Sequence, residues 1–395
     1  MLISDIVRSS MEQGSWIRKM FEEGNNLRER YGDNNVFDLS LGNPIMNPPA
    51  EFVEELKRVV NSPLQGMHRY MENAGYADTR KSVAKYLSKE SGIAINQNDV
   101  IMTCGAAGAL NVVLKTILNP GDEVIIFPPF FPEYINYIKN HGGVVNIVSA
   151  DEQFLPNIIE LDKAIGAKTK AVIINSPNNP SGVIYSPDLI NAIGKLLENK
   201  SLEYGTPITL ISDDAYRYIV YDGIKCPYVW PYYKQSVIVN SYSKDLALPG
   251  ERIGYIAVHP EIAQHDEIIA GLIFCNRILG YVNAPALMQH VISALQGVTV
   301  SINDYQRKRD FLYNNLKDLG YQLTMPQGTF YMFPESLIAD DIAFVSELAQ
   351  YRVLTVPGTG FGFPGHIRIS YCVNDDTLEG SISGFRKLAE KYKSG

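Results

Sequence analysis

Lys244 lies in the run Ser241-Tyr-Ser-Lys-Asp-Leu-Ala-Leu-Pro-Gly-Glu-Arg252, just after the apolar stretch Val237–Asn240. Two hydroxyls and a guanidinium around one amine suit covalent chemistry on an aldehyde cofactor. The amine condenses to a Schiff base while Ser241, Ser243 and Arg252 grip a phosphate. A surface lysine in a serine-rich loop would have the same composition, so the assignment depends on what else the chain carries. Asp213 ends a second apolar run and is followed by Tyr216. A carboxylate there either caps a helix or, at the C-terminal edge of a parallel sheet, faces a bound ligand. Asn179 sits in Asn175-Ser-Pro-Asn-Asn-Pro-Ser-Gly182, a proline-stiffened loop that can aim one amide. Arg368 interrupts the apolar pattern His366–Tyr371. Its planar fork matches a carboxylate as lysine cannot, although an exposed strand-edge arginine would read the same way.

Weaker signals fall between these. Thr103–Leu110 is a small-residue loop opening a helix, whose free N–H groups at Ala106 and Ala107 and helix dipole make an anion site. Pro128–Tyr134 offers Phe131 as a flat apolar face for stacking, with Phe130 equally readable as core. Gly42 lies in Leu39–Pro44 and Tyr70 in His68–Gly75.

In their order along the chain these motifs resemble those of class I/II, fold-type I pyridoxal-phosphate aminotransferases of the aspartate aminotransferase-like kind, over about residues 38–386. The resemblance implies pyridoxal 5′-phosphate bound covalently to Lys244, its pyridine nitrogen paired with Asp213, and its phenolic oxygen held by Tyr216 and Asn179. It puts Phe131 on the ring face and Tyr134 behind the ring beside Asp213. Phosphate contacts fall to Ala106, Ala107, Ser241, Ser243 and Arg252, with Tyr70 reaching the neighbouring subunit's phosphate. Arg368 grips the α-carboxylate under the Gly42 backbone. Lys244 then shuttles the Cα proton, as transamination requires. Arg277 is near where one branch of the family supplies a cation for a second substrate carboxylate; otherwise it is a helix-surface or interface arginine. Tyr331, Tyr70 and Phe131 equally suit a neutral side chain. The expected reaction moves an amino group between an L-amino acid, aspartate or a broader set, and a 2-oxo acid. A β-lyase or synthase on the same fold is the alternative, and a non-catalytic binding module a more distant one.

The elements that must hold these residues are legible as alternation. Apolar runs at 100–103, 124–127, 144–148, 171–175, 208–212, 237–240 and 254–258 alternate with helical patterns at 78–91, 107–118, 131–140 and 188–198. Continuous runs suit strands buried on both faces, so an α/β fold with a mostly parallel, doubly wound sheet is expected over residues 45–285. Residues 286–395 read as a smaller α+β domain with a helix at 303–319, strands at 321–324, 329–333 and 366–371, and a last helix from about Thr377. Residues 1–44 read as a docking segment joining the small domain, with Trp16, Ile17, Met20 and Phe21 at helical spacing in 10–30.

The net charge of −8 opposes nucleic acid or an anionic membrane as partner. The four scattered cysteines and six ungrouped histidines suggest reduced thiols and no metal site. No apolar stretch spans a bilayer and no signal-peptide pattern opens the chain, so a cytoplasmic protein is expected; the resemblance, through Tyr70, implies a homodimer with shared active sites.

Overall fold

The computed structural model describes residues 2–4, 7–8, 11, 16–62 and 64–393. Its strands are β1 (Phe37–Asp38), β2 (Val100–Thr103), β3 (Glu123–Ile126), β4 (Val144–Ile147), β5 (Thr169–Asn175) and β6 (Thr209–Asp213). They continue with β7 (Ser236–Ser241), β8 (Gly254–Val258), β9 (Tyr331–Met332), β10 (Val353–Leu354), β11 (Val356–Pro357) and β12 (Ile367–Ser370). Among the described residues, seven form one sheet in the order β2-β8-β7-β6-β5-β3-β4. β8 is antiparallel to both neighbours and the other pairings are parallel. All seven expected runs are strands of this sheet. The central ones, β5 to β8, are buried nearly throughout, as strands covered by helices on both faces must be.

Local chemistry sets the helix ends. The Ser186 hydroxyl accepts from Leu189 N–H, Pro187 occupies the first turn, and Gly205 closes the helix Pro187–Tyr204 in the left-handed conformation. Asn157 and Ser301 cap the helices Ile158–Ala164 and Ile302–Asp318 in the same way. The helix Ala286–Ile292 packs against Ala50–Asn61 and Ala77–Ser91, fastened by Tyr76 N–H to Gln289 Oε1 at 2.9 Å and Thr79 Oγ1 to Gln289 O at 3.0 Å.

The second layer is built around the antiparallel trio β11-β12-β9 and the parallel pair β1-β10. The helix Trp16–Tyr31 lies on it. Met20 is buried, a Cβ at Gly360 would come within 3.1 Å of Trp16, and Arg28 pairs with Asp38 at 2.5 Å. Ser10, residues 12–15 and the side chains of Ile17 and Phe21 lie outside the described residues. The expected strand at 321–324 is not one. Tyr321 is pinned by its hydroxyl to Phe385 O at 3.0 Å, and one backbone bond, Glu335 N–H to Gln322 O, replaces a ladder. Pro326, lacking an N–H, follows closely. Strands of two residues, such as β1, β10 and β11, carry no readable period.

Candidate active site

β2, β5, β6 and β7 all end at one cleft of about 280 Å³, on the sheet edge where open α/β folds bind ligands. β6 delivers Asp213 and, one turn later, Tyr216. β7 delivers Ser241, Ser243 and Lys244, while the loop after β5 delivers Asn179. β2 runs into the helix Gly105–Ile117, whose first turn presents Ala106 and Ala107. No side chain caps that helix, so its first N–H groups remain available to an anion. Arg252 lies across the same turn, bonded to Pro249 O at 2.8 Å and Cys104 O at 3.3 Å. A Cβ at Gly105 would stand 2.7 Å from its guanidinium, and one at Gly254 would stand 2.4 Å from Asn240 O. Gly254 thus needs glycine for this close approach to backbone, and Gly105 needs it for its left-handed conformation at φ +74°. Phe131 lines the cleft with its ring edge-on to Tyr134, whereas Phe130 is core.

The small layer closes the other side. Arg368, on β12, is buried with one amine to Ser40 O at 2.6 Å and another to Asn179 Oδ1 at 3.3 Å. Its Nε has no partner. Gly42 O accepts from Lys244 Nζ at 2.9 Å. A Cβ at Gly42 would fall 1.6 Å from the Tyr331 hydroxyl, so no side chain fits there.

Charge is distributed in a pattern that calls for a ligand. Asp214 is neutralised within the chain by Arg217 at 2.6 Å, but its neighbour Asp213 is held only by neutral donors: Tyr134 Oη at 2.5 Å and Ala215 N–H at 3.4 Å. Burial pushes the Asp213 carboxyl up to about 6, against the pull of those two bonds. A cation beside it would restore the carboxylate. Arg368 is the converse case, a buried guanidinium whose strongest electrostatic neighbours are Tyr331, Tyr216 and Cys372 and whose affinity for its proton is lowered by burial. An orphaned Nε and an unpaired buried cation suit a carboxylate. A ring cation, a phosphate and a carboxylate therefore each have a matching wall.

Between these walls, burial brings the Lys244 amine down to about 8, opposed in part by Cys372 and reinforced by Arg368 and Arg252. In the window from about 8 up to the ordinary 10.5, the unfolded chain holds a proton that the folded chain has released. Stability of the cofactor-free protein should then rise with pH across that window. Below it both states are protonated and the penalty is constant. Thermal unfolding on either side of the window checks this, and Lys244→Met should flatten the rise.

Of the residues assigned to the site from the sequence, all line this cleft except Tyr134, Tyr70 and Arg277; Tyr134 is buried behind the lining, bonded to Asp213. Tyr70 is 91% exposed on the rim of a second cleft with Tyr281 and Asn283. Arg277 is exposed on the helix His265–Ile278, over the Phe274 ring at 5.4 Å. Two contributors went unassigned in the sequence. The Asn175 side chain bridges Asp213 O at 2.8 Å and Asn179 N–H at 2.7 Å, locking two loops together; its position at a strand's C-terminal end was the available signal. Tyr331, read only as a wall, touches Tyr216, Arg368 and the Gly42 turn.

A lysine between an unpaired carboxylate, an anion-ready helix start and a buried arginine, on the ligand edge of a mostly parallel sheet, defines a fold-type I pyridoxal-phosphate enzyme. The chain belongs to the aminotransferases of class I and II, whose family model matches residues 34–384. It is 30% identical to the aspartate aminotransferase of Bacillus subtilis over 377 residues, 90% of this chain and 92% of that one. Its structure superposes on an aminotransferase from Eubacterium rectale with a TM-score of 0.96 at 40% identity, covering 99% of each chain. The aspartate aminotransferase of Thermus thermophilus with maleate gives 0.87 at 26% identity, covering 98% of this chain and 100% of that one. The protein is a pyridoxal 5′-phosphate-dependent transaminase acting on amino and 2-oxo acids. Among the described residues, no helix is long and apolar enough to cross a membrane.

Proposed function

We propose that this cleft moves an amino group between an L-amino acid, aspartate or a broader set, and a 2-oxo acid. The observation that carries the proposal is the pairing of two uncompensated buried charges, Asp213 and Arg368, on either side of the Lys244 amine. When bound, pyridoxal phosphate supplies an aldehyde for the amino group and an electron sink for the Cα carbanion. Asp213 would pair with the ring nitrogen and keep it protonated. Tyr216 and Asn179 would hold the phenolic oxygen, and Phe131 would offer its face to the ring. Ala106, Ala107, Ser241, Ser243 and Arg252 would take the phosphate. Arg368 would fix the α-carboxylate beside Gly42, on the side of the cleft that Lys244 faces. Lys244 Nζ removes the Cα proton and later returns it as general acid. An amine near neutrality suits both roles.

Partition of the chain into a docking segment (1–44), a cofactor-binding domain (45–285) and a small domain (286–395) goes with this reading, the docking segment supported by the β1-β10 pairing. So does a cytoplasmic homodimer. An exposed Tyr70, and exposed Phe274 and Ile278 beside Arg277, support a partner surface that completes each site. Mixing Tyr70→Ala with Lys244→Ala protein then forms hybrid dimers with one intact site. Activity should appear in the mixture that neither variant shows alone; a mixture no better than its parts removes the shared site.

Donor identity is read by following the cofactor's absorbance as each of the twenty amino acids is added to purified enzyme. Conversion by aspartate or glutamate, lost selectively in Arg277→Ala, supports a dicarboxylate substrate. Equal loss with alanine dismisses Arg277 as a specificity residue, and a cofactor that no amino acid converts overturns transamination.

A further inference from the structure

We propose that Tyr331 is a positioning residue: its hydroxyl donates to Tyr216, turning the Tyr216 proton toward the cofactor's phenolic oxygen, and its ring ties that bond to the Arg368 carboxylate grip. The inference rests on the role given to Tyr216 above and extends it to a residue of the small layer.

The two phenols approach from different layers. Tyr216 follows β6 and Tyr331 begins β9, yet their hydroxyls are 3.0 Å apart and their rings meet edge to face at 5.7 Å. Both are buried. Burial pushes both phenols up, so each keeps its proton. A phenol has one proton to give. If Tyr216 donated to Tyr331, it would have nothing left for a cofactor oxygen and would present only a lone pair to it. The opposite direction, Tyr331 donating and Tyr216 accepting, leaves the Tyr216 proton free to point into the cleft.

Arg368 favours that direction. Its guanidinium lies 4.5 Å from the centre of the Tyr331 ring. A cation on a ring face draws electron density from it and strengthens the O–H as donor. The Tyr331 hydroxyl is also fixed from below, because the bare Gly42 backbone fills the space beside it. Tyr331 is pinned further by β9-β12 pairing, opposite Ser370, and by its N–H to Thr329 Oγ1 at 3.0 Å. The hydroxyl pair therefore spans the two layers, and a carboxylate arriving at Arg368 changes the charge over the donor's ring.

The test is Tyr331→Phe in the cofactor-loaded enzyme, which keeps the ring under Arg368 and deletes only the oxygen. A donor to the cofactor oxygen stabilises it when it turns anionic, so it lowers the pH midpoint of the cofactor's visible absorbance. Losing the orienting bond should raise that midpoint by about one pH unit, the worth of one hydrogen bond. kcat should fall by about tenfold with KM little changed, since Arg368 is untouched. In a Tyr216→Phe background, Tyr331→Phe should produce no additional shift. An unchanged midpoint in the single variant, or the same shift with Tyr216 already absent, overturns the proposal. Wild-type protein that takes up cofactor but shows no pH-dependent absorbance overturns it while leaving the transaminase reading intact; wild-type protein that takes up none removes both.

Discussion

Lys244→Ala is expected to lower the rate of transamination by at least about 10⁴-fold, because one amine is asked to do two jobs. In the proposed function it is both the covalent anchor and the carrier of the proton between Cα and the cofactor. The half-buried amine, 2.9 Å from Gly42 O and shifted down to about 8, is the group in the cleft that fits both. Fold and cofactor affinity through the phosphate wall should survive, since Ser241, Ser243, Arg252 and the helix start at Gly105 are untouched. Purified Lys244→Ala should lack the absorbance of the lysine-bound cofactor. A variant that keeps both that absorbance and its turnover would show that another lysine carries the chemistry.

The second large effect is at Arg368. Lysine in its place retains the charge but loses the fork and leaves Ser40 O and Asn179 Oδ1 short of a donor, since both accept from the guanidinium. Truncating one partner of a buried charged pair costs about 2–5 kcal/mol. Arg368→Lys should therefore cut kcat/KM by about 10²-fold or more, mostly through KM, and equally for every amino acid, since all share the α-carboxylate. Steady-state kinetics with aspartate and with alanine decides the point. A loss confined to dicarboxylates would move Arg368 from the α-carboxylate to the side chain.

What could be read from the sequence follows from how locally each feature is encoded. Val237–Asn240 and Ile208–Ser212 announce buried strands by continuous apolar character, and Asp213 and Lys244 inherit their positions from those strands' ends. The cleft assembles from such ends, so most of it was legible. The small layer was not. β10 and β11 are two residues each, and Tyr321 looks like a strand residue but serves as a plug between Phe344 and Phe385. Partners made by tertiary packing were also hidden. Nothing near Tyr331 in the chain indicates Tyr216, 115 residues away. Asn175 was in view as part of a motif, but its grip on Asp213 O depends on the β5-β6 register that pairs Asn175 with Asp213. Tyr70 and Arg277 are outside this chain's cleft, so the hybrid-dimer experiment tests a role for Tyr70 and the amino-donor screen one for Arg277.

In the proposed function Lys244 binds the cofactor covalently and gives it up to an amino donor. Borohydride reduction of the cofactor-loaded enzyme, followed by peptide mass mapping with and without an effective donor, checks both halves of that statement. A pyridoxyl label is expected on Lys244 alone, lost when the donor is present. A label on another lysine, or one on Lys244 that no amino acid diminishes, would contradict it.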